Sequence, residues 1–453
     1  MATQAKVETN PYLEGPYAPV HEELTVESLP VTGTLPAELT GTYIRIGPNP
    51  VTPPDPRHYH WFAGDGMVHG VRLEGGRAAW YRNRYVRSKR VSAALHEEPA
   101  PGPRDQRSDT VNTNVVGHAG QILALVEAGG YPVELGSLLG TVAHTDLDGT
   151  LKLGGFSAHP HKDPDTGELH AICYNGGITQ WLRHVVVGTD GKVRRELPIP
   201  VNDGPMIHDC AITGKYVLIF DLPVTFSMPA AKAGVGSPYR WNKDHPARVG
   251  LLPREGAAED IIWCDVPPAQ VFHPCNAYDL PDGRVVVDVC AHDRMFDDDH
   301  PMGPESAVLT FERWTCDPAS RSVDRRVIDT QPQEFPRFDE RLTGKSYRYA
   351  YTVTQGGGPK DAPSGVIRHD LETGTRAIHD FGPARIPGEF VFVPRTPTSA
   401  EDDGWLMGFV VDLARGSTDL VLLDAANVAG PPVAAIALPQ QVPLGFHGNW
   451  IAG

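Results

Sequence analysis

Short apolar runs, rich in Val, Ile, Tyr and Phe and separated by polar segments, recur along almost the whole chain. Runs of this length and composition are typical of β-strands, and a helical period of 3.6 residues is nearly absent. The clearest runs are TYIRIG (42–47), QILALVE (121–127), LHAICYN (169–175), YVLIFDL (216–222), RVVVDVC (284–290), SYRYAYTV (346–353), LMGFVVDL (406–413) and TDLVLLDA (418–425). This pattern predicts an all-β protein.

The polar segments between the runs contain tight-turn sequences such as LDGT, DTGE, TDGK, PDGR and ETGT. In such turns Gly supplies a positive φ and Asp a local hydrogen bond, so the runs are predicted to form hairpins. A long series of hairpins must remove its sheet edges, and over 453 residues radial repetition does this better than a single sandwich. We therefore expect one β-propeller domain over residues 1–453, although no repeat period gives its blade count.

Two proline-rich stretches, 98–104 and 222–246, are predicted to be excursions from the blades. The second contains Phe226, Met228 and Trp241, and two interpretations of it stay open. It could form a lid or apolar entrance over a site, or it could be a plain surface loop.

Composition narrows the range of partners. The net charge of −16 would repel nucleic acid on average, so a neutral or apolar small molecule is the better candidate. The first 17 residues have no apolar leader and no run is long enough to span a bilayer, which predicts a cytoplasmic protein and leaves contact with a membrane surface open. No protein partner is evident. The six cysteines are scattered singly and are interpreted as reduced core residues.

Four of the 19 histidines lie beside predicted strands or turns, at positions 159, 208, 273 and 447. Their separations do not fit a local zinc motif such as HExxH. Only a closed ring of blades could bring side chains from such distant segments to one metal. Taken singly, each is more often an ordinary histidine than a ligand.

The segments that carry these histidines resemble the four histidine boxes of the carotenoid cleavage oxygenase family, in the family's order. They read FSAHPHKDPDTGE, MIHDCAIT, VFHPCNAYD and FHGNW. The segments GTYIRIGPNP (41–50), HYHWFAGDGMVHGVRLEGG (58–76) and NTNVVGHAGQILALVE (112–127) are similar to family signatures as well. The resemblance extends from about residue 10 to the C-terminus.

The resemblance implies a seven-bladed propeller with Fe(II) on its axis, held by the four neutral imidazoles of His159, His208, His273 and His447. The family's ligand in the first box is the first histidine of AHPH, so His159 is expected to bind the metal and His161 to be its neighbour.

Three glutamates in similar boxes are implied to orient the ligands. A metal-bound imidazole usually donates its other N–H to a carboxylate, and an ionised Glu among the apolar residues of EFVFV would need such a donor. The resemblance pairs Glu127 with His208, Glu334 with His273 and Glu389 with His447, and it leaves His159 without a glutamate.

What the resemblance implies for activity is an Fe(II)-dependent dioxygenase. It would activate O2 and cleave a conjugated carbon–carbon double bond to give two carbonyl products. Aromatic side chains beside the family boxes could form the walls that hold the alkene and stabilise cationic character on it. For each of them, simple core packing is the alternative role. These candidate substrate contacts are Trp61, Phe62, Tyr131, Phe335 and Phe446.

The substrate is the least determined part of this interpretation. Stilbene- and phenylpropenoid-cleaving relatives typically carry a lysine immediately before the first glutamate, where it binds a phenol oxygen, and this position is Val126 here. A carotenoid or apocarotenoid is therefore favoured, although Tyr85 or Lys89 could still bind a hydroxyl. Cleavage of a stilbene or phenylpropenoid, isomerase chemistry on the same site, and a non-catalytic binding propeller are the alternatives.

Overall fold

The computed structural model describes residues 10–234, 237–297, 308–355 and 364–453, and β-strands dominate these ranges. The prediction of an all-β protein is confirmed. Within the described residues, helix is limited to the six-residue α-helices Lys89–Ala94 and Met228–Ala233. Five single-turn 3-10 helices accompany them: Pro11–Leu13, Gly15–Tyr17, Trp61–Ala63, Ala258–Asp260 and Glu340–Leu342.

The strands form antiparallel sheets that follow one another along the chain. In hydrogen-bonding order, a five-stranded sheet contains Thr25–Glu27, Arg77–Tyr85, Gly66–Glu74, Gly41–Pro48 and Gly448–Ala452. A four-stranded sheet contains Asn114–His118, Gln121–Leu125, Val133–Leu135 and Thr141–His144. The next contains His161–Lys162, Leu169–Cys173, Trp181–Val187 and Val193–Pro200.

The following strands form an eight-stranded sheet with an internal division. Its first half is Cys210–Ile212, Tyr216–Asp221, Arg248–Pro253 and Ile262–Asp265, and its second half is Ser322–Asp329, Leu309–Asp317, Val285–His292 and Gln270–Asp279. Each half is antiparallel. Among the described residues, the strand ladders of the two halves are paired at a single position, where Asp265 lies parallel to Ser322.

Two further sheets complete the chain. One contains Gln333–Arg337, Tyr349–Thr354, Gly365–Asp370 and Thr375–Asp380. The other contains Val31–Gly33, Ala434–Ala437, Ser417–Asp424 and Gly404–Asp412, with both Arg385–Pro387 and Val391–Pro394 paired to the last of these.

The sheets are arranged like the blades of a propeller, with edge strands turned towards a common centre. Thus His161–Lys162 contacts Cys210–Ile212, and Cys210–Ile212 contacts Gln270–Asp279. The ring continues from Gln270–Asp279 to Gln333–Arg337, and Val391–Pro394 contacts Gly448–Ala452. Short, sequence-distant strands are therefore neighbours at the centre of the molecule.

The two ends of the chain close this ring. The C-terminal strand Gly448–Ala452 pairs antiparallel with Gly41–Pro48, which is fully buried. The N-terminal strand Val31–Gly33 pairs with Ala434–Ala437 in the neighbouring sheet. Pairing of early with late strands covers edges that a linear series of hairpins would leave open.

Apolar side chains fill the spaces between neighbouring sheets. Between the first and the last sheets, Tyr43 and Phe409 are fully buried and pack edge to face, with ring centroids 4.9 Å apart. All six cysteines are buried and unpaired, as predicted. No described helix has the length and apolar content to cross a bilayer. The cytoplasmic location stays a prediction.

The stretch 222–246 is an excursion, as predicted, because it lies between two strands that pair directly with each other, Tyr216–Asp221 and Arg248–Pro253. It forms its own two-stranded sheet, Val224–Phe226 with Tyr239–Trp241, and residues 235–236 lie outside the described residues. Phe226 and Trp241 pack against an apolar cluster that also contains Phe272.

Two buried histidines, on the neighbouring strands Leu169–Cys173 and Trp181–Val187, are expected to make the fold less stable in acid. His170 Nδ1 lies 3.2 Å from His184 Nε2, while His170 Nε2 and His184 Nδ1 have no hydrogen-bond partner within the described residues. Burial lowers the pKa of His170 to about 4 and that of His184 well below its usual value.

Both histidines therefore take up protons more readily in the unfolded state, and the free energy of unfolding should fall as the pH drops below about 6.5. For a histidine with a pKa of about 4 in the folded state, such as His170, the free energy of unfolding is lower by about 2 kcal/mol at pH 5. Urea unfolding at pH 7 and pH 5 should show a smaller loss in the double variant His170→Gln/His184→Gln than in the wild type. An equal loss in both proteins would contradict this prediction.

Candidate metal centre

The four predicted ligands lie on, or at most two residues before, strands at the edges of their sheets. His159 and His208 stand two residues before His161–Lys162 and Cys210–Ile212, and His447 directly precedes Gly448–Ala452. His273 lies inside Gln270–Asp279. Because these edge strands meet at the centre of the propeller, side chains from distant segments converge there.

Irregularities in strand pairing lie next to the ligand His273 and next to its predicted partner Glu334. The register of Gln270–Asp279 shifts around Pro274, immediately after His273, and that of Gln333–Arg337 shifts between Glu334 and Arg337. Proline has no N–H for the ladder, and bulges next to active sites commonly redirect a side chain. Phe335 has a φ of 53°, which is uncommon for a bulky residue. The backbone is thus distorted where His273 and Glu334 point inwards.

The four imidazoles form one compact group at the centre. One nitrogen of each lies within 4.8 Å of the others. The ring centroid of His159 is 4.4 Å from that of His208 and 4.6 Å from that of His447, and His273 is 4.8 Å from His447. All four side chains are buried or nearly so.

Each predicted glutamate contacts the Nδ1 atom of one of these imidazoles. Glu127 Oε2 lies 2.8 Å from His208, Glu334 Oε2 lies 2.6 Å from His273, and Glu389 Oε1 lies 3.1 Å from His447. A carboxylate at Nδ1 holds the proton on that nitrogen. The lone pair of each ring is then on Nε2, which is the arrangement of a metal-binding histidine.

The Nε2 atoms, which carry the lone pairs, are placed so that they could bind a cation. His208 Nε2 and His273 Nε2 face each other at 3.2 Å. Because the proton of each ring is on Nδ1 and is donated to a glutamate, neither Nε2 atom has a proton to donate to the other. The buried His159 Nε2 has no hydrogen-bond partner within the described residues. Buried polar atoms in proteins are nearly always satisfied. A metal ion bound by all four nitrogens would satisfy them together.

Burial and the glutamate carboxylates shift the pKa values of the ligand imidazoles in opposite directions. Burial lowers the pKa of His159 well below its usual value, and burial outweighs Glu389 in lowering the pKa of His447. At His273 the effect of burial is outweighed by the Glu334 carboxylate, so this pKa is raised. Burial would raise the pKa of Glu389, but Arg337 and His447 hold it below the ordinary value.

Further polar residues around the glutamates were not identified from the sequence. The Tyr174 hydroxyl donates to Glu127 Oε2 at 2.6 Å, and His292 Nε2 lies 3.0 Å from Glu334 Oε1. Arg337 Nη1 donates to Glu389 Oε1 at 3.2 Å. Asp209, next to a predicted ligand in MIHDC, lies close to both His159 and His161. Its position beside a ligand was the one available sequence signal.

The predicted aromatic contacts fall into three groups. Trp61, Phe62 and Phe446 form one cluster, with Trp61 4.5 Å and Phe62 5.8 Å from Phe446 between ring centroids. Phe62 is 6.5 Å from Phe272, whose ring is 4.9 Å from that of His208. This cluster therefore reaches the imidazole group through Phe272, which the sequence interpretation had not singled out.

The second group is Phe335 alone, whose ring lies 5.4 Å from His273 and 5.5 Å from His447. The third is Tyr131, which packs against the interior cluster that contains Leu123 and Phe156.

Val126 and Tyr85, both considered in relation to substrate choice, pack in apolar clusters that contain none of these aromatic side chains. Val126 is half-buried between the end of the strand Gln121–Leu125 and Glu127, and it packs against an apolar cluster that contains Val115. The Tyr85 hydroxyl is engaged by Asn49 and by the carbonyl of Val20. Lys89 is exposed at the start of the helix Lys89–Ala94.

Known proteins resemble this chain over almost its whole length. The family model described as retinal pigment epithelial membrane protein, RPE65, matches residues 17–452. A carotenoid cleavage oxygenase of Mycobacterium tuberculosis is 42% identical over 99% of this chain and 98% of its own length. A carotenoid 9,10(9',10')-cleavage dioxygenase of Arabidopsis thaliana is 32% identical over 97% of this chain and 89% of its own length.

Solved structures agree over almost the whole chain. The lignostilbene dioxygenase of Pseudomonas brassicacearum superimposes with a TM-score of 0.89 at 29% identity, covering 99% of this chain and 100% of its own. A cobalt-substituted apocarotenoid oxygenase of Synechocystis superimposes with a TM-score of 0.86 at 28% identity, covering 97% and 98%. The chain belongs to the RPE65/carotenoid cleavage oxygenase family.

Proposed function

We propose that this protein binds Fe(II) through His159, His208, His273 and His447, and that it uses O2 to cleave a conjugated carbon–carbon double bond of a carotenoid or apocarotenoid. Two carbonyl products result. One observation carries the proposal most directly: the buried nitrogens of the four imidazoles converge within 4.8 Å, and three of the rings are held by glutamates at Nδ1. Such a set of neutral nitrogen donors suits a non-haem iron.

When bound, Fe(II) supplies the activation of O2 that the reaction requires. Four neutral ligands leave the metal its full positive charge, unlike a site of two histidines and one carboxylate. The chain's own residues fix the imidazoles, exclude water and hold the alkene beside the centre. Glu127, Glu334 and Glu389 perform the first task.

Aromatic side chains perform the other two tasks. Phe335 packs against two of the imidazoles, and the cluster of Trp61, Phe62 and Phe446 reaches a third through Phe272. These rings cover the centre with apolar surface, which suits a polyene. Tyr131 and Val126 complete the proposed substrate contacts.

Two candidate alkenes are supported by relatives. The M. tuberculosis and A. thaliana relatives are named for carotenoid cleavage, while a resveratrol cleavage oxygenase of Chaetomium globosum is 29% identical over 96% of this chain. The position before Glu127, where stilbene-cleaving relatives typically carry a lysine, is occupied by the apolar Val126. This favours the carotenoid or apocarotenoid over a hydroxystilbene.

A substrate panel tests this choice. Purified, iron-loaded protein is incubated in air with apocarotenals, carotenoids, resveratrol and a hydroxylated lignostilbene, and the carbonyl products are identified by mass. We expect paired aldehyde or ketone products from an apocarotenoid or a carotenoid. If only the stilbenes are cleaved, the substrate is a stilbene or phenylpropenoid and not a carotenoid or apocarotenoid. A pure geometric isomer, with no cleavage product, would indicate an isomerase.

The variant Val126→Lys tests the role of the missing cation. A lysine beside Glu127 should bind the phenol oxygen of a hydroxystilbene, so the ratio of kcat/KM for hydroxystilbenes to that for apocarotenals should rise about tenfold. Val126→Met, which adds length without charge, is the matched control. No gain in this ratio over Val126→Met would remove Val126 as a determinant of substrate choice.

We further infer that the chain is one domain over residues 1–453 with seven blades. The support is the division of the eight-stranded sheet into two antiparallel halves joined by a single residue pair. Counting each half as a blade adds one to the six sheets of four or more strands in the described ranges. Pairing of N-terminal with C-terminal strands supports a single closed unit.

A further inference from the structure

Asp209 is a buried carboxylate beside the one predicted ligand that has no glutamate partner. Its side chain is 6% exposed, and its Oδ2 atom lies 3.8 Å from His159 Nδ1. The glutamate oxygens lie 2.6 to 3.1 Å from the Nδ1 atoms of the other three imidazoles. Asp209 therefore faces the corresponding nitrogen of the fourth ring from a longer distance.

Two other groups hold this carboxylate in place through its Oδ1 atom. His161 Nε2 lies 2.7 Å from Oδ1, and the Cys210 backbone N–H donates to the same oxygen at 2.6 Å. Within the described residues, Oδ2 receives no hydrogen bond and is the oxygen nearer His159. His161 thus has a role of its own, as the residue that fixes Asp209.

We propose that Asp209 is the positioning residue of His159 in the metal centre, a proposal that rests on the proposed function. A carboxylate 3.8 Å away is too distant for a direct hydrogen bond but acts electrostatically in a buried setting. It favours the tautomer with the proton on Nδ1 and leaves the lone pair on Nε2, the atom without a partner among the described residues. His159 is then the least firmly oriented of the four ligands.

Asp209 also belongs to a second group of potential metal-binding side chains, with His161 and Cys210. The short contact between His161 and Asp209 already uses one oxygen and one nitrogen of this group. His161, Asp209 and Cys210 therefore have two candidate roles: Asp209, fixed by His161, orients His159, or the three side chains bind a second metal ion. Metal stoichiometry separates the two roles.

The test is Asp209→Asn, measured by metal binding in the absence of substrate. With its amide oxygen in the place of Oδ1, asparagine can still accept from both the Cys210 N–H and His161 Nε2. The variant therefore removes the negative charge and puts an NH2 group where Oδ2 faces His159. We expect Fe(II) and Co(II) to dissociate about tenfold faster into a chelator. The visible absorption of the Co(II) protein should also change, because the orientation of one ligand has changed, whereas a purely structural residue would leave it unaltered.

Asp221→Asn is the matched control. Asp221 is fully buried and accepts from His245 and Arg248, both at 2.8 Å, and none of these residues belongs to the four-imidazole group. Its metal dissociation rate and Co(II) spectrum should equal those of the wild type. If Asp209→Asn lowers the melting temperature more than Asp221→Asn does, Asp209→Ser, which keeps an acceptor for the Cys210 N–H, replaces it.

Three outcomes decide between the possibilities. Faster metal loss with an altered Co(II) spectrum supports the role of Asp209. If the variant has the dissociation rate and the Co(II) spectrum of the wild type, the role of Asp209 is overturned and the proposed function stands. The same conclusion follows if the wild type binds two metal ions per chain and the variant loses one of them. A wild-type protein that binds no metal would overturn the proposed function together with this inference.

Discussion

His273→Ala should lose most of its bound iron, from about one ion per chain in the wild type, and nearly all cleavage activity. His273 shares the centre of the site with His208 at 3.2 Å between Nε2 atoms, and its ring lies 4.8 Å from that of His447. Removing a ligand should lower metal affinity more than removing a group that only orients a ligand, and loss of such an orienting group typically lowers metal affinity or activity ten- to a hundredfold. Metal analysis of the purified protein and the initial rate of product formation check both effects.

His144→Ala is the matched control for this variant. His144 is also buried on a strand, with Nε2 3.1 Å from the carbonyl of Arg87, but it is not part of the four-imidazole group. It should keep its iron and its activity per folded molecule. If His273→Ala retained the metal load of His144→Ala, His273 would have to be removed from the ligand set.

Glu334→Gln should weaken iron retention or turnover by about ten- to a hundredfold. Glu334 contacts His273 at 2.6 Å and His292 at 3.0 Å, and it accepts from the Phe335 N–H at 2.8 Å. Although burial alone would raise its pKa, the two histidines hold that pKa well below its ordinary value, so the side chain is ionised. The glutamine keeps the size of this side chain and removes the charge that orients His273.

Glu312→Gln provides the comparison for a buried glutamate outside the site. Glu312 is 4% exposed and accepts from Thr310, Trp314 and Arg325. We expect its effect to fall on the melting temperature and not on iron dissociation, whereas Glu334→Gln should affect iron dissociation at comparable stability. Equal iron dissociation in the two variants would make Glu334 an ordinary buried charge.

The strand content was predictable because strands and turns are local. The runs TYIRIG (42–47) and YVLIFDL (216–222) correspond to the strands Gly41–Pro48 and Tyr216–Asp221. Which strands pair depends on contacts between distant segments. Nothing near residue 42 indicates that its partner is Gly448–Ala452, and nothing local joins Val31–Gly33 to Ala434–Ala437.

The candidate site divides in the same way. Its histidines and glutamates stand in extended boxes, so a resemblance to a family could select them from many similar residues. Tyr174, His292 and Arg337 stand in segments with no such mark, and their contacts with the glutamates arise only when the blades close. The bulge after His273 was likewise hidden, since Pro274 alone does not fix a register.

Isotope labelling of the products shows whether the four-histidine centre inserts both atoms of O2 into the cleaved alkene. Iron-loaded protein is incubated under 18O2 with the best substrate of the panel, and the carbonyl products are trapped before exchange with water and weighed by mass spectrometry. Cleavage by a dioxygenase at the four-histidine centre predicts one 18O atom in each of the two products and almost no activity in His273→Ala. Products that carry oxygen only from water, or activity that persists without the metal, would contradict the account.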